Sequence, residues 1–443
     1  MGNRERNRKI TALLLCCLVI AITCSNPFRF AFSLPDSITV LTGQSFEIST
    51  GYPVVSVDAI GIGTARPWSL WVTTTKVTMD TQEPGQYYLQ FRLFGLIPIR
   101  RVSLTVTEPI MVMPGGHSIG VVLRSTGLVI TGLSPVETLD GKEVWPAKNA
   151  GLQVGDVILS VGDSRVSTKE DLAFLIEEAG RTGQWVDILV EKQDGSTIRR
   201  TLMPVRNKRG GFNIGILVKD ALAGVGTLTF YDPETGLYAA LGHVISEGDS
   251  RRPVAMKEGQ IVRASVTGVQ PSRKGNPGEV LGTFVEGQDI LGNILKNGSC
   301  GIAGILNDKP ENPFYSEPIP LGVETKLRRG PAEILTTVNG TSVEKFSIEI
   351  ERIFNGAGAS SKGFVLRVTD PRLLAITGGI VQGMSGSPII QDGYLVGAVT
   401  HVLVNDPARG YGTFAEWMAK DSYMIPAALP EDAISAYFQL TEI

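Results

Sequence analysis

Apolar positions along most of this chain recur with a period of two, in short runs broken by glycine, proline, asparagine and aspartate. That is the pattern of half-buried strands joined by turns. Between 34 and 107 it is carried by Ser37-Ile38-Thr39-Val40, Ser45-Phe46-Glu47-Ile48, Tyr87 to Arg92 and Val102 to Val106, which predicts a small β-rich domain. It returns over 206–443 with little helical periodicity before the end, a length that suits two small barrels packed together. The exception lies between them. From Thr168 to about Ala179, Leu172, Leu175 and Ile176 fall on one face of a predicted helix, and the strand Trp185 to Glu191 follows.

The first 33 residues differ in kind. Arg4, Arg6, Arg8 and Lys9 precede an apolar run from Ile10 to Cys24, a length between a signal-peptide core and a full membrane span. Because apolar character resumes at Phe28 to Leu34, a retained anchor is the expectation, with a cleaved signal as the alternative. The basic flank keeps the N-terminus in the cytoplasm and sends the bulk of the chain across the membrane.

Composition narrows this further. The 443 residues exceed one core, so several domains are expected: 1–33, 34–107, 108–205 and 206–443. A formal net charge of -3 with both signs interspersed argues against nucleic acid as a partner. Three of the four cysteines (Cys16, Cys17, Cys24) lie in the N-terminal segment, which leaves Cys300 without a disulfide partner and best read as a small buried hydrophobe.

Chemistry is most concentrated at Gly383-Met384-Ser385-Gly386-Ser387-Pro388. A serine between glycines on a tight turn exposes its hydroxyl and frees nearby backbone N–H groups, the requirements for a nucleophile with an oxyanion hole at Gly383 and Ser385. The chain has three histidines, His117, His243 and His401, so its general base comes from a short list. His243 ends a hairpin built from Gly226 to Tyr231, a turn, and Leu237 to Gly242, and is the first choice. His401 is the competitor, and His117 is read as a loop histidine without a catalytic task. For a carboxylate that orients the imidazole, Asp370 ends the strand-like run Phe364 to Thr369. Asp370-Pro371 is equally a helix N-cap with proline at the first position. None of the histidines belongs to a His-Glu-x-x-His motif, and no metal or cofactor is expected.

Residues 108–205 carry a further motif, Ala150-Gly151-Leu152 leading to Gly155-Asp156-Val157-Ile158, behind Gly115-Gly116-His117-Ser118-Ile119-Gly120-Val121. This block resembles a PDZ domain of the circularly permuted type found in bacterial proteases. The resemblance implies a groove in which the N–H groups of Ile119, Gly120 and Val121 hold a peptide carboxylate.

Taken together, Gly224 to Tyr231, Leu241-Gly242-His243, Lys274-Gly275-Asn276-Pro277-Gly278-Glu279 and Gly383 to Pro388, behind that PDZ module, resemble the stage IV sporulation protein B family. These are serine peptidases of endospore-forming bacteria, distantly akin to the chymotrypsin-like double-barrel enzymes. The resemblance implies His243 as base, Asp370 as orienter and Ser385 as nucleophile. It also implies passage across the inner forespore membrane, self-cleavage near the N-terminal region, and cutting of a regulator of an intramembrane metalloprotease, sporulation protein FA, which releases processing of a late sigma factor. Met384 replaces the aspartate that many digestive relatives pair with a newly cut N-terminus, which argues against activation of that kind. Competing readings are a PDZ adaptor that has lost its chemistry and an extracytoplasmic quality-control protease, although in the latter the protease precedes the PDZ module.

Overall fold

The computed structural model describes residues 8, 10, 12–14, 34–49, 55–61, 70–73, 76–81, 83–192, 194–246, 256–354 and 359–422. Most of the expected membrane segment lies outside these, and among the described residues no helix is long and apolar enough to cross a membrane. The described architecture is mostly β.

Two compact units emerge. One holds the chain up to Met111 together with Pro320–Arg328 and Phe354–Gly358. Its four-stranded sheet pairs Ser37–Leu41 in parallel with Ile97–Thr107, which pairs in turn with Gly85–Leu93, and that with Val55–Gly61. Period-two alternation puts Leu89, Phe91, Val102 and Leu104 into one core, each essentially inaccessible to solvent.

The second unit contains the rest. Its organising feature is a ribbon of two sixteen-residue strands, Ser118–Leu133 and Ile216–Tyr231, paired antiparallel along nearly their whole length. The ribbon serves two cores. Its outer part supplies Leu128 and Ile130 to a PDZ core, with Ile158, Leu172, Ile176 and Ile188. Its base supplies Ile119, Val121, Leu123, Leu222 and Leu228 to a second core, with Tyr238, Ile261 and Ile302. The PDZ module is thus carried at the end of a hairpin rooted in the first peptidase sheet.

The PDZ helix, Lys169–Thr182, starts where the sequence predicts and runs past the expected end near Ala179. Thr168 and Asp171 form a reciprocal capping box, and Gly183 terminates the helix in the left-handed conformation. Leu172, Ile176 and Ala179 are its buried stripe.

The two expected barrels are not equivalent. Gly330–Asn339, Ser342–Ile353, Phe364–Val368, Arg409–Phe414, Tyr394–Val402 and Pro388–Gln391 close into a complete barrel in that order. The first barrel is a correction to the expectation: its strands belong to an open thirteen-stranded sheet that runs on into the PDZ module. The ribbon explains this, because strands shared between two modules cannot curl back to close either one.

Candidate active site

Ser385 lies on the turn leading into Pro388–Gln391, and three sets of bonds fix that turn. Within it, Ser387 N–H and its hydroxyl both donate to the Met384 carbonyl, at 3.0 and 2.7 Å, while Gly386 N–H donates to Val399 at 2.8 Å. Across the interface with the first sheet, Thr227 N–H donates to the Ser385 carbonyl at 2.9 Å. The hydroxyls of Thr227 and Thr229 reach the carbonyls of Gly383 and Gly386, at 2.9 and 2.7 Å. The motif Gly226-Thr227-Leu228-Thr229 is therefore a clamp on the nucleophile turn. Strand alternation places both hydroxyls on one face.

The flanking glycines are required by space as well as by conformation. Gly383 and Gly386 both have φ of 95°. A Cβ on Gly386 would lie 2.1 Å from the Thr227 carbonyl oxygen. Neither Gly383 N–H nor Ser385 N–H has an acceptor among the described residues, so both stay open to an oxyanion. Met384 is fully buried, its N–H bonded to the Val381 carbonyl at 3.2 Å.

His243 reaches the same cavity by a strained approach. Leu241 has φ of 70°, a left-handed conformation that costs a non-glycine residue roughly 1–2 kcal/mol. Beyond the histidine, Asn297 grips Ile245 from both sides: its carbonyl oxygen accepts the Ile245 N–H at 2.9 Å and its amide donates to the Ile245 carbonyl at 2.8 Å. The Nδ1 of His243 lies 3.0 Å from the Val244 carbonyl. A carbonyl can only accept, so the proton of the neutral ring sits on Nδ1 and Nε2 carries the lone pair. Burial holds the imidazole below the ordinary histidine value of 6.5, partly offset by that hydrogen bond. A neutral ring with a free Nε2 is the form a general base requires.

Ser385 and His243 line one cavity of about 510 Å³. His401 lines it too, its ring centroid 5.0 Å from that of His243. In this conformation the Ser385 hydroxyl donates to the Thr400 carbonyl at 2.7 Å. Proton transfer to His243 requires the hydroxyl to leave that carbonyl.

Two expectations need correcting. Asp370 is the N-cap of the helix Pro371–Thr377: its Oδ1 accepts the Arg372 N–H at 2.9 Å, and its Oδ2 accepts from the Arg372 guanidinium at 3.0 Å and from Ser347 N–H at 3.3 Å. The Arg372 hydrogen bonds hold its carboxyl below the usual carboxylate range. No hydrogen bond joins it to His243 among the described residues, and it does not line the cavity. Of the two readings of Asp370-Pro371, the structure displays the cap.

Ile119, Gly120 and Val121 do not form a carboxylate-binding loop. They sit mid-strand, paired with Gly226, Val225 and Gly224 on one edge and with Arg263, Val262 and Ile261 on the other. With both edges in ladders, their N–H groups cannot hold a peptide terminus. Gly120 is a glycine because Phe284 packs on it: a Cβ there would fall 2.4 Å from the ring. His117, as expected, lies outside the cavity, its Nε2 within 3.0 Å of the Glu311 carbonyl. Cys300 is buried.

A glycine-hinged serine with two open N–H groups, sharing a cavity with a neutral imidazole, is the working arrangement of a serine endopeptidase. Residues 210–419 match the SpoIVB peptidase S55 family model, and residues 145–188 match a PDZ domain model. The chain thus carries a SpoIVB peptidase S55 domain and a PDZ domain, the pair found in a SpoIVB-like protein. Among solved structures, it is similar to a crystal structure of Rv3671c from M. tuberculosis H37Rv, an inactive serine-to-alanine mutant form. That match has 15% identity over 46% of this chain and 83% of the other, with a TM-score of 0.26. No curated protein matches the chain.

Proposed function

We propose that this chain is a self-processing serine endopeptidase that cuts a membrane-protein regulator at the inner forespore membrane and so triggers sigma-factor activation. It works on the extracytoplasmic side, in the space between the two forespore membranes, held there by its N-terminal apolar segment. The observation that carries the reading is the cavity shared by Ser385 and His243, in a chain that matches the SpoIVB peptidase S55 family. The PDZ module supports a protein substrate. The resemblance to the stage IV sporulation protein B family supports the particular target, a protein like sporulation protein FA, and cleavage of the chain by itself.

In the reaction, Ser385 Oγ bonds to the scissile carbonyl carbon as its proton passes to Nε2 of His243. The carbonyl oxygen becomes an oxyanion held by the N–H groups of Gly383 and Ser385. The C–N bond then breaks, and His243 hands its proton to the departing amine. Water, deprotonated by the same imidazole, attacks the acyl-enzyme and regenerates the hydroxyl. Loss of one oxyanion donor costs about 100- to 1,000-fold in rate in such sites.

The test is incubation of purified full chain, alone and with the regulator, followed by mass spectrometry of the fragments. Ser385→Ala and His243→Ala proteins that remain folded are expected to release none. If His401→Ala is silent while His243→Ala cuts normally, the base has been misassigned. Ser385→Ala protein that still produced the fragments would overturn the peptidase reading.

A further inference from the structure

We propose that the hairpin tip 94–98 of the N-terminal unit inserts into the surface of the bilayer that the N-terminal apolar segment enters. This rests on the membrane reading of that segment. It gives the unit a second point of attachment, and two points fix an orientation against a membrane where one leaves a swivel.

Gly85–Leu93 and Ile97–Thr107 are joined by a turn whose central residues, Phe94 and Gly95, have φ of 54° and 70°. Positive φ at both positions is the type I′ arrangement, which favours asparagine followed by glycine. Phenylalanine gains nothing there from the backbone and is held in a left-handed conformation that only glycine adopts freely. Its ring finds no core either. Phe94 is 65% exposed, Leu96 80% and Ile97 50%, and Pro98 is exposed as well. The alternation that buries Leu89, Phe91 and Leu93 stops one residue short of them. A tip that faces only water ordinarily carries polar turn residues. A strained aromatic beside three exposed apolar residues points to an apolar environment outside the fold.

Two observations identify that environment as a bilayer. The first is where the chain enters the sheet. Ser37–Leu41 is parallel to Ile97–Thr107, so both strands run away from the tip. Leu34 and Asp36 continue that register backwards: the Arg100 guanidinium donates to the Leu34 carbonyl at 3.3 Å and to the Asp36 carboxylate at 2.6 Å. Arg100 is three residues, about 10 Å, from Ile97. The apolar stretches Ile10 to Cys24 and Phe28 to Leu34 therefore join this sheet at the end where the tip is exposed. The second observation is charge. From Gln86 to Thr107 the hairpin holds Arg92, Arg100 and Arg101 and no aspartate or glutamate. Asp58 and Asp36 pair with two of these, so the excess charge is positive. Arg92, its side chain 39% exposed, is three residues from Gly95. A tip buried about 5–10 Å into the boundary between headgroups and acyl chains puts such guanidinium groups at the level of the lipid phosphates.

The experiment reconstitutes full-length protein into vesicles of phosphatidylcholine and phosphatidylglycerol, with an environment-sensitive fluorophore on Leu96→Cys. Cys16→Ala, Cys17→Ala and Cys24→Ala remove other thiols, and Cys300 is buried. The emission should shift to the blue and be quenched most by a nitroxide placed about 5–10 Å below the headgroups. The same fluorophore on Glu108→Cys, at the far end of the strand, should not be quenched. Phe94→Asn, the residue the turn itself favours, should keep the fold and lower the ratio of inserted to withdrawn tip by about tenfold or more. Protein that resists alkaline carbonate extraction while the Leu96→Cys probe stays in water would overturn the inference and leave the anchor standing. Protein that never associates with vesicles would overturn the anchor and the inference together. A probe shielded from water yet untouched by the nitroxide would place a second copy or another protein on the tip and overturn the inference, as would undiminished quenching in Phe94→Asn.

Discussion

Replacement of Gly386 by alanine tests the placement of the nucleophile without touching a reacting atom. At φ of 95°, alanine carries left-handed strain of roughly 1–2 kcal/mol. The larger effect is steric. The new Cβ would lie 2.1 Å from the Thr227 carbonyl oxygen and 2.5 Å from the Leu241 nitrogen, both backbone atoms, whereas real Cβ contacts stay above 3.0 Å. Relieving the first contact takes a shift of about 0.9 Å (3.0 − 2.1), and that shift is passed directly to Ser385. It also strains the bond from Thr229 to the Gly386 carbonyl. A misplacement of about 1 Å at a reacting atom costs on the order of 100-fold in rate. Gly386→Ala protein should therefore fold, melt a few degrees lower and turn over a peptide substrate about 100-fold more slowly, with the loss in kcat rather than KM. Circular dichroism melting and steady-state hydrolysis of a fluorogenic peptide read both quantities. Parental kcat in a folded Gly386→Ala enzyme would refute the argument that the Thr227 and Thr229 clamp sets the nucleophile.

Other outcomes follow from the same geometry. As a cap, Asp370 can be replaced by asparagine with activity retained within about tenfold, and by alanine at a cost of about 1 kcal/mol in a denaturant titration. A fall of about 10,000-fold in Asp370→Asn would show instead that the carboxylate joins His243 during turnover. Because burial lowers the His243 pKa, the acid limb of kcat/KM should have its midpoint below 6.5, and a midpoint above that value would contradict the buried environment. His117 is lowered by burial as well. Well above pH 6.5 both rings are neutral in the folded and unfolded chain, but as the pH approaches and passes below 6.5 the unfolded chain takes up protons that the folded one resists. Stability should therefore fall as the pH drops through 6.5, measurable as a falling midpoint in urea. Asn297→Ala leaves Ile245 without either of its side-chain bonds. It should lower stability by about 1–2 kcal/mol and move the acid limb toward 6.5 as water reaches His243, whereas an unchanged limb would deny the positioning role.

What the amino-acid sequence determined by itself was local in origin. Glycines around Ser385 announced a turn that other residues adopt only under strain, and the spacing of Leu172, Leu175 and Ile176 declared the PDZ helix. Period-two alternation declared the strands and their buried faces, since these depend on residues only a few positions apart. The tertiary structure decided which edges those strands share. Ile119 to Val121 read as a loop with free N–H groups until two distant strands were found to occupy both edges. Thr227 and Thr229 carried no signal beyond strand propensity, because the carbonyls they hold lie 156 and 157 positions away. Asp370 remained open between cap and orienter, because a carboxylate's role is set by which donor lies nearest. Here the adjacent Arg372 took it, before any imidazole could.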